Sequence, residues 1–457
     1  MTRALGATVA AGLVALAVVA VAGDAAAAGF ATAHFGGEQG TVVTTNPTAL
    51  YYNPAGIGFS EGTHIFLDGT LALRGMTWTH ALAPTDPPDP PGGAGANSGT
   101  AHLFNVFGGP ALGATTKLGN FALGAGLFVP FGGRESWQQN QQFVNSQFPL
   151  AAAGVQRWHV IDGALTFIYG TVGAAYRLGP LSIGVAGNIV LSSVSFSQAK
   201  NADGTGLPDT LREGRASLDA SGTTGSFAAG LMLEAIPDRL WLAASYQSQP
   251  NMGAETLNGN LTITTPSGGL NTKATFTEAL PDIVRAGARW RASKDLELRL
   301  FGDFTRWSVN QTQCLALAGH PCAVYPDGSD ASGGYVIANF RRDWNNTWGI
   351  RGGASYWIRP KVELFAGTGF ETAATPDATI DPSLADADNI LLSGGARMLV
   401  ANWFYLALSY THLFFFDRDN TGKSTLADAA VPTQQQDGGG KYTQWAGFFD
   451  LNVEKTF

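Results

Sequence analysis

The chain has 457 residues, of which only 14% are charged, with 59 glycines, two cysteines and a formal net charge of −8. Typical soluble domains carry about 25% charged residues and about 7% glycine, so this composition points away from the cytosol. The mildly acidic balance speaks against a nucleic-acid partner, and the length admits two or three soluble domains or one large β-barrel.

Residues 1–27 read as a secretory signal peptide: Arg3, an apolar run from Ala4 to Ala22, then Ala25 and Ala27 in an A-x-A cleavage pattern. Past it, no apolar run approaches the roughly 20 residues that a spanning helix requires. Residues 28–60 form the next unit. Within it, Thr48 to Ser60 (TALYYNPAGIGFS) joins two aromatic residues, an Asn-Pro pair and two glycines. Pro54 lacks an N–H, and Gly56 and Gly58 weaken helix and strand alike, so a compact irregular segment packed inside something is expected. The plain alternative is a surface Asn-Pro turn.

From His64 onward the dominant signal is period two. In LSIGVAGNIVLS, Leu181, Ile183, Val185, Ile189 and Leu191 share one face, while Ser182, Gly184, Ala186, Asn188 and Ser192 share the other. DIVRAGARWR and KVELFAGTGFE alternate in the same way. A soluble sandwich buries the apolar face, whereas a membrane barrel turns it to lipid. The signal peptide and the rims decide for the barrel. Turns such as Leu178-Gly179-Pro180 are brief, and the connections 81–99, 132–159, 199–215, 311–342, 372–388 and 417–440 are long, the asymmetry of outer-membrane barrels. The predicted fold is therefore an all-β, transmembrane antiparallel β-barrel over 61–457, of about fourteen strands, an even number. The third strand is placed at 120–131, the seventh and eighth at 239–258 and 272–292, the ninth and tenth at 294–310 and 343–358. The connection 259–271 reads as strand or loop.

Several positions carry chemistry. Phe128-Val129-Pro130-Phe131 puts a proline in the third strand, where it removes a ladder donor and marks an interruption or an edge. The loop 134–159 holds Trp137, Phe143, Phe148, Leu150 and Trp158 among Gln and Asn. Cys314 and Cys322, in QCLALAGHPCAV, are expected to form a disulfide in an oxidising compartment. His320 between them raises a metal site as the rival, with too few ligands to favour it. The last strand, GFFDLNVEKTF, alternates and ends on Phe457, which resembles the carboxy-terminal signal read by the outer-membrane barrel assembly machinery.

Taken together, the chain resembles the FadL family of outer-membrane transporters for long-chain fatty acids and other hydrophobic compounds. The likeness rests on AGF at Ala28 to Phe30, YYNPAGI at Tyr51 to Ile57, LFVPFGG at Leu127 to Gly133, LSIGVAGN at Leu181 to Asn188, LPDIVRAGARWR from Leu280 and RDWNNTWGIRGGASYWI from Arg342. The resemblance implies a hatch of residues 28–60 filling the barrel, with Phe30, Asn53, Pro54 and Ala55 at its working parts. It implies a landing groove on the outer loops at Trp137, Phe143, Phe148 and Trp158, an interior pocket touching the extreme N-terminus, and a side exit at Phe128, Pro130 and Phe131 of the third strand. Some members hold a substrate carboxylate with a basic residue around the fifth strand; here that face offers Asn188, Val190 and Ser192. Other inward cations are Arg285, Arg289, Arg299, Arg351 and Arg397, with Arg351 taken as the substrate contact. The implied function is diffusion-driven uptake of a hydrophobic small molecule, long-chain fatty acids foremost and neutral monoaromatic hydrocarbons as the alternative. A general porin and a barrel phospholipase are the readings from other classes. A monomer in outer-membrane lipid, without cofactor or metal, is expected. Gly58 to Gly62 matches G-x-S-x-G, but a strand rather than a helix follows it, which is the wrong setting for a nucleophile. Asp417 to Gly422 partly matches a calcium loop and lacks the acidic residue that closes one.

Overall fold

Period-two alternation fixes two faces on every strand, and β5 (Leu181–Asn201) shows which face goes where. In this computed structural model, which describes residues 33–201 and 207–457, Ile183, Val185, Ile189 and Leu191 point outward and are 43–62% exposed, while Ser182, Asn188 and Ser192 are buried inside. The polar face is inside and the apolar face outside, the reverse of a soluble fold. The signal segment and Phe30 lie outside the described residues.

Flanking β5 are β1 (Thr63–His80), β2 (Gly99–Leu118), β3 (Phe121–Ser136), β4 (Asp162–Leu178) and β6 (Glu213–Ile236). Next come β7 (Leu240–Gln247), β8 (Glu255–Thr265), β9 (Gly268–Glu278), β10 (Ile283–Arg291), β11 (Leu296–Thr305), β12 (Thr312–Leu317), β13 (Val336–Arg341) and β14 (Thr347–Arg359). The chain closes through β15 (Val362–Glu371), β16 (Asn389–Val400), β17 (Phe404–Phe415), the two-residue β18 (Arg418–Asp419) and β19 (Lys441–Thr456). All nineteen segments belong to one sheet, and β19 pairs back onto β1 along its length. They amount to a closed barrel of fourteen antiparallel staves, because β7/β8, β9/β10, β11/β12 and β13/β14 are each one stave broken midway and β18 only extends β17. No helix among the described residues is long and apolar enough to cross a membrane.

The broken staves correct the predicted boundaries. The stretch 259–271 is strand on both sides of a tight Pro266-Ser267 turn. Residues 312–317 and 336–341, expected in a long loop, continue the wall outward, and the third strand runs on to Ser136. Their sequences hid them because they sit beyond the apolar belt, where the faces exchange chemistry. On β8, Thr256, Asn258, Asn260 and Thr262 face out, while Leu257 and Leu261 are buried with Phe276, Leu315 and Phe340 in a separate core. β5 makes the same exchange without any slip of register: outward Leu191 gives way to Ser193 and Ser195, and inward Ser192 to Val194. The barrel wall therefore leaves the apolar belt near that level and continues into water.

The segment 33–60 lies inside the barrel. It contains one short helix, α1 (Ala49–Tyr52), and a 3-10 helix, Pro54–Phe59. Phe35, Leu50, Tyr51 and Ile57 of this plug share a core with Phe128 and Phe131 of β3 and with Trp307 and Trp344. The two tryptophans come from the stave breaks, which dip inward; Trp307 and Trp344 rings lie 4.9 Å apart. Cys314 and Cys322 are joined, with Cα atoms 6.2 Å apart, tying β12 to the loop that follows it.

The outward face of β5 yields a direct test. Ile189→Arg should cost about 2–4 kcal/mol of stability in lipid vesicles, as for a cation near the middle of a bilayer. Denaturant titration in vesicles measures it, and a neutral effect would place Ile189 in water.

Candidate functional site

The plug is fixed to the wall by side-chain and backbone hydrogen bonds. Asn53 Nδ2 donates to Val42 O at 3.0 Å and to Leu231 O of β6 at 3.1 Å, while its Oδ1 accepts from Ala55 N at 3.1 Å. Ser182 Oγ donates to Ala55 O at 2.7 Å and Ser245 Oγ to Tyr52 O at 2.6 Å. This contact requires bare strand backbone: a Cβ on Gly184 would stand 2.2 Å from Ala55 N, and one on Gly230 1.9 Å from Asn53 Oδ1. On the opposite side, Asp68 Oδ2 accepts from Gly36 N at 2.7 Å, and Gln39 Nε2 donates to Glu363 at 2.7 Å. Gly36 has φ 77°, a left-handed turn that suits glycine.

The Asn53-Pro54-Ala55 turn thus rests on β4 to β6. Gly184 and Gly230 set this seat, since their bare backbone lets the wall come close enough to accept the turn. The residues that do face the break are aromatic: Phe35 and Tyr51 rings lie 5.1 Å and 5.9 Å from the Phe128 ring.

The break itself lies between β2 and β3. These strands are in register only from Leu112 to Leu118 against Phe121 to Leu127, with one further isolated bridge at Leu103 and Trp137. Between those points β2 pairs only with β1, and β3 only with β4. The β3–β4 register also shifts between Phe128 and Phe131, so Val129 and Pro130 sit in a bulge. The β2 lip carries its own proline, Pro110, a signal that the sequence reading passed over. Asn105 Nδ2 donates to Arg134 O at 3.2 Å across the opening. Phe104 and Val106 on the β2 lip point outward, each about half exposed.

An inner cavity adjoins the plug, and an outer one lies among the wall and the outer connections. The inner one, about 760 Å³ of atom-free space including its mouth, reaches Ala33 and His34 and is bordered by Tyr51, Tyr52, Arg285, Asp303 and Arg351. Burial, with Arg351 adding to it, pushes the His34 imidazole down to about 3, so it is neutral there. Arg351 is paired with Glu371 and so is not the free substrate contact anticipated. Arg397 pairs with Glu454 at 2.8 Å and Arg299 with Glu297 at 3.3 Å. Arg285 differs: it donates to Tyr51 Oη at 2.9 Å and Gln247 Oε1 at 3.3 Å and packs on the Tyr51 ring, with no carboxylate in ion-pair reach among the described residues.

The outer cavity holds about 700 Å³ of atom-free space including its mouth. Its walls are Leu165, Val194, Phe196, Phe276 and Phe340, and Gly133 and Glu135 of β3 form one side. Its polar end carries ion pairs, Arg74 with Glu135 at 3.1 Å and Arg342 with Asp381 at 2.8 Å. Burial opposes ionisation of Asp381, yet Arg342 holds its carboxyl below the usual range.

The loop aromatics do not form an open landing groove. Trp137, Phe143 and Trp158 are buried, and Phe148 packs partly against Phe143. The reason is a polar knot beneath them. Buried Arg157 meets Glu213 at 2.9 Å and Asn97 Oδ1 at 2.9 Å, and Trp158 Nε1 donates to the same Asn97 oxygen at 3.1 Å. Three outer connections are thereby drawn together over the aromatics of the 134–159 loop. Ser60 Oγ is committed to Thr45 O within the plug, and no metal-binding cluster occurs among the described residues.

Gly230→Val should displace the Asn53 turn while leaving the barrel folded. The expected outcome is normal heat-modifiable migration with a raised steady conductance in planar bilayers; unchanged conductance would show that the plug seals without this contact.

The family model described as outer membrane protein transport protein (OMPP1/FadL/TodX) matches residues 7–457. No curated protein sequence matches the chain. Among solved structures, a Pseudomonas aeruginosa FadL homologue superposes with a TM-score of 0.75 at 18% identity, covering 94% of this chain and 100% of that one. The Ralstonia pickettii toluene transporter TbuX gives 0.63 at 15% identity, covering 94% and 99%. The P. putida toluene transporter TodX gives 0.64 at 15%, with the same coverage. At these identities the likeness speaks for the fold, and the matched family model for kinship: the chain belongs to the OMPP1/FadL/TodX family of outer-membrane transport proteins.

Proposed function

We propose that this outer-membrane barrel is a channel, not an enzyme, through which hydrophobic compounds diffuse inward, with long-chain fatty acids as the principal substrate. Residues 1–27 act as the export signal, 28–60 as the hatch and 61–457 as the barrel, assembled as a monomer through the signal at Phe457. Substrate enters the outer cavity, passes Phe131 and Trp307 into the inner pocket beside Tyr51, and leaves sideways between β2 and β3 into lipid.

The observation that carries this reading is the interrupted β2–β3 ladder. Backbone groups in hydrocarbon must be paired, so a side opening can exist only where the ladder is broken. Here both lips carry a proline, which has no N–H to leave stranded. Arg285, a buried cation in the inner pocket without an acid partner among the described residues, supports a carboxylate head group. The aromatic lining at Phe35, Tyr51, Phe128 and Phe131 favours a second substrate class, the neutral monoaromatic hydrocarbons.

Deleting Pro130 tests the exit. One extra residue on β3 causes the bulge, so its removal lets Phe131 keep its pairing to Phe167 while the strand runs straight. The expected outcome is a well-folded barrel with oleate uptake reduced at least about tenfold, roughly the effect of 1.4 kcal/mol on a rate. Uptake at the wild-type rate would redirect substrate through the lumen to the periplasm.

A further inference from the structure

The polar end of the outer cavity holds hydrogen-bonding atoms that no described residue uses. His159 lines the cavity and is only 4% exposed, and neither ring nitrogen has a hydrogen-bond partner among the described residues. Its surroundings are the Trp78 ring, edge-on at 5.7 Å, and the Asp381 carboxylate, 3.9 Å from Nδ1 and already held by Arg342. Burial pushes the imidazole down to about 4, so one nitrogen carries a proton and the other a lone pair. Glu135, 6% exposed, also lines the cavity; Oε1 is bound by Arg74, whereas Oε2 has no hydrogen-bond partner among the described residues. Trp137 Nε1 approaches that carboxylate without reaching hydrogen-bond geometry.

Buried polar atoms without partners cost stability, and such atoms bordering a cavity call for a guest that satisfies them. The charges here cancel, Arg74 against Glu135 and Arg342 against Asp381, so no cation is left over for an anion. An incoming carboxylate would meet the free Glu135 oxygen. A plain hydrocarbon would leave both groups unsatisfied. A hydroxyl does what neither can, since it donates one hydrogen bond and accepts another. We propose that the outer cavity selects hydrophobic molecules whose head group is an uncharged hydroxyl, bridging Glu135 Oε2 and a His159 ring nitrogen, a role it fills by donating at one end and accepting at the other. Alcohols and un-ionised carboxylic acids share this chemistry. The inference rests on the uptake reading above: an acid would pass this point neutral and meet Arg285 further in.

The test is binding of matched eight-carbon ligands to the purified full-length barrel by isothermal titration, comparing wild type with His159→Phe. The arms are 1-octanol for alcohols, octanoic acid at about pH 5, where a substantial fraction is un-ionised, and octane and octanoate at neutral pH as controls. His159→Phe should weaken octanol and octanoic acid about tenfold, as for loss of one hydrogen bond to a buried group. Octane and octanoate should be unaffected. His159→Gln, which keeps a donor, should restore octanol binding, separating lost hydrogen bonding from lost packing. Octanol affinity unchanged in His159→Phe, or octanoate as the ligand weakened, would overturn the inference while leaving the uptake reading intact. Failure of all four ligands to bind the wild-type barrel would overturn the uptake reading and this inference with it.

Discussion

An unpaired peptide group in hydrocarbon costs about 2–7 kcal/mol, so a sheet that crosses a membrane must close on itself. The ladder from β1 round to β19 meets that demand, and it makes the opened stretch between β2 and β3 the most consequential place in the wall. The opening is tolerable for identifiable reasons. Pro110 and Pro130 remove two donors from its lips, and Asn105 supplies a side-chain donor to one stranded carbonyl, Arg134 O. Phe128 and Phe131 back the opening with rings instead of more backbone. The breaks in β7 to β14 follow a different logic. They lie where the wall leaves the apolar belt, and their backbone groups are met by neighbouring breaks, as with Arg306 N on Asp282 O and Arg342 N on Gln311 O.

The plug is held unevenly, and the unevenness is aligned with the opening. Toward β5, β6 and β7 it is clamped by Asn53, Ser182 and Ser245 through direct hydrogen bonds on bare glycine backbone. Toward β1 and β15 it is held by Asp68 and Glu363. Toward β3 its contacts include the rings of Phe35 and Tyr51 on Phe128 and the Leu50 side chain beside Gly124. Ring contacts are non-directional and can be exchanged for ligand at little cost, whereas an orphaned buried hydrogen-bonding group cannot. A guest entering the inner pocket therefore competes with the one side of the plug that yields.

Much of this was legible in the residues. Period two with charges on one face, signal segment and rim asymmetry gave the barrel, and Pro130 located the break in the third strand. Three things were not legible, each for a physical reason. The outer parts of β8, β9, β12 and β13 were obscured because their outward face is polar and their inward face apolar, opposite to the staves below, so a search for apolar-out strands passes over them. The seat of the Asn53 turn could not be read because it depends on Gly184 and Gly230, two glycines among 59, whose role appears only when the plug is laid against them. The loop aromatics looked available because sequence does not reveal that Arg157, Glu213 and Asn97, far apart in the chain, meet beneath them.

The same separation of zones sets the direction of travel. Above the belt the wall has its own apolar core around a cavity whose polar end retains unmet hydrogen-bonding atoms. Within the belt the lining becomes aromatic, and beyond the β2–β3 lips lies lipid. A molecule moving along this series exchanges a few hydrogen bonds for growing apolar contact. Each CH₂ transferred from water into hydrocarbon gains about 0.8 kcal/mol, so a long chain needs no coupled energy source once its head group is released. On the proposed route a head group, and not the tail, would be what the interior handles stepwise, first at His159 and Glu135 and later at Arg285.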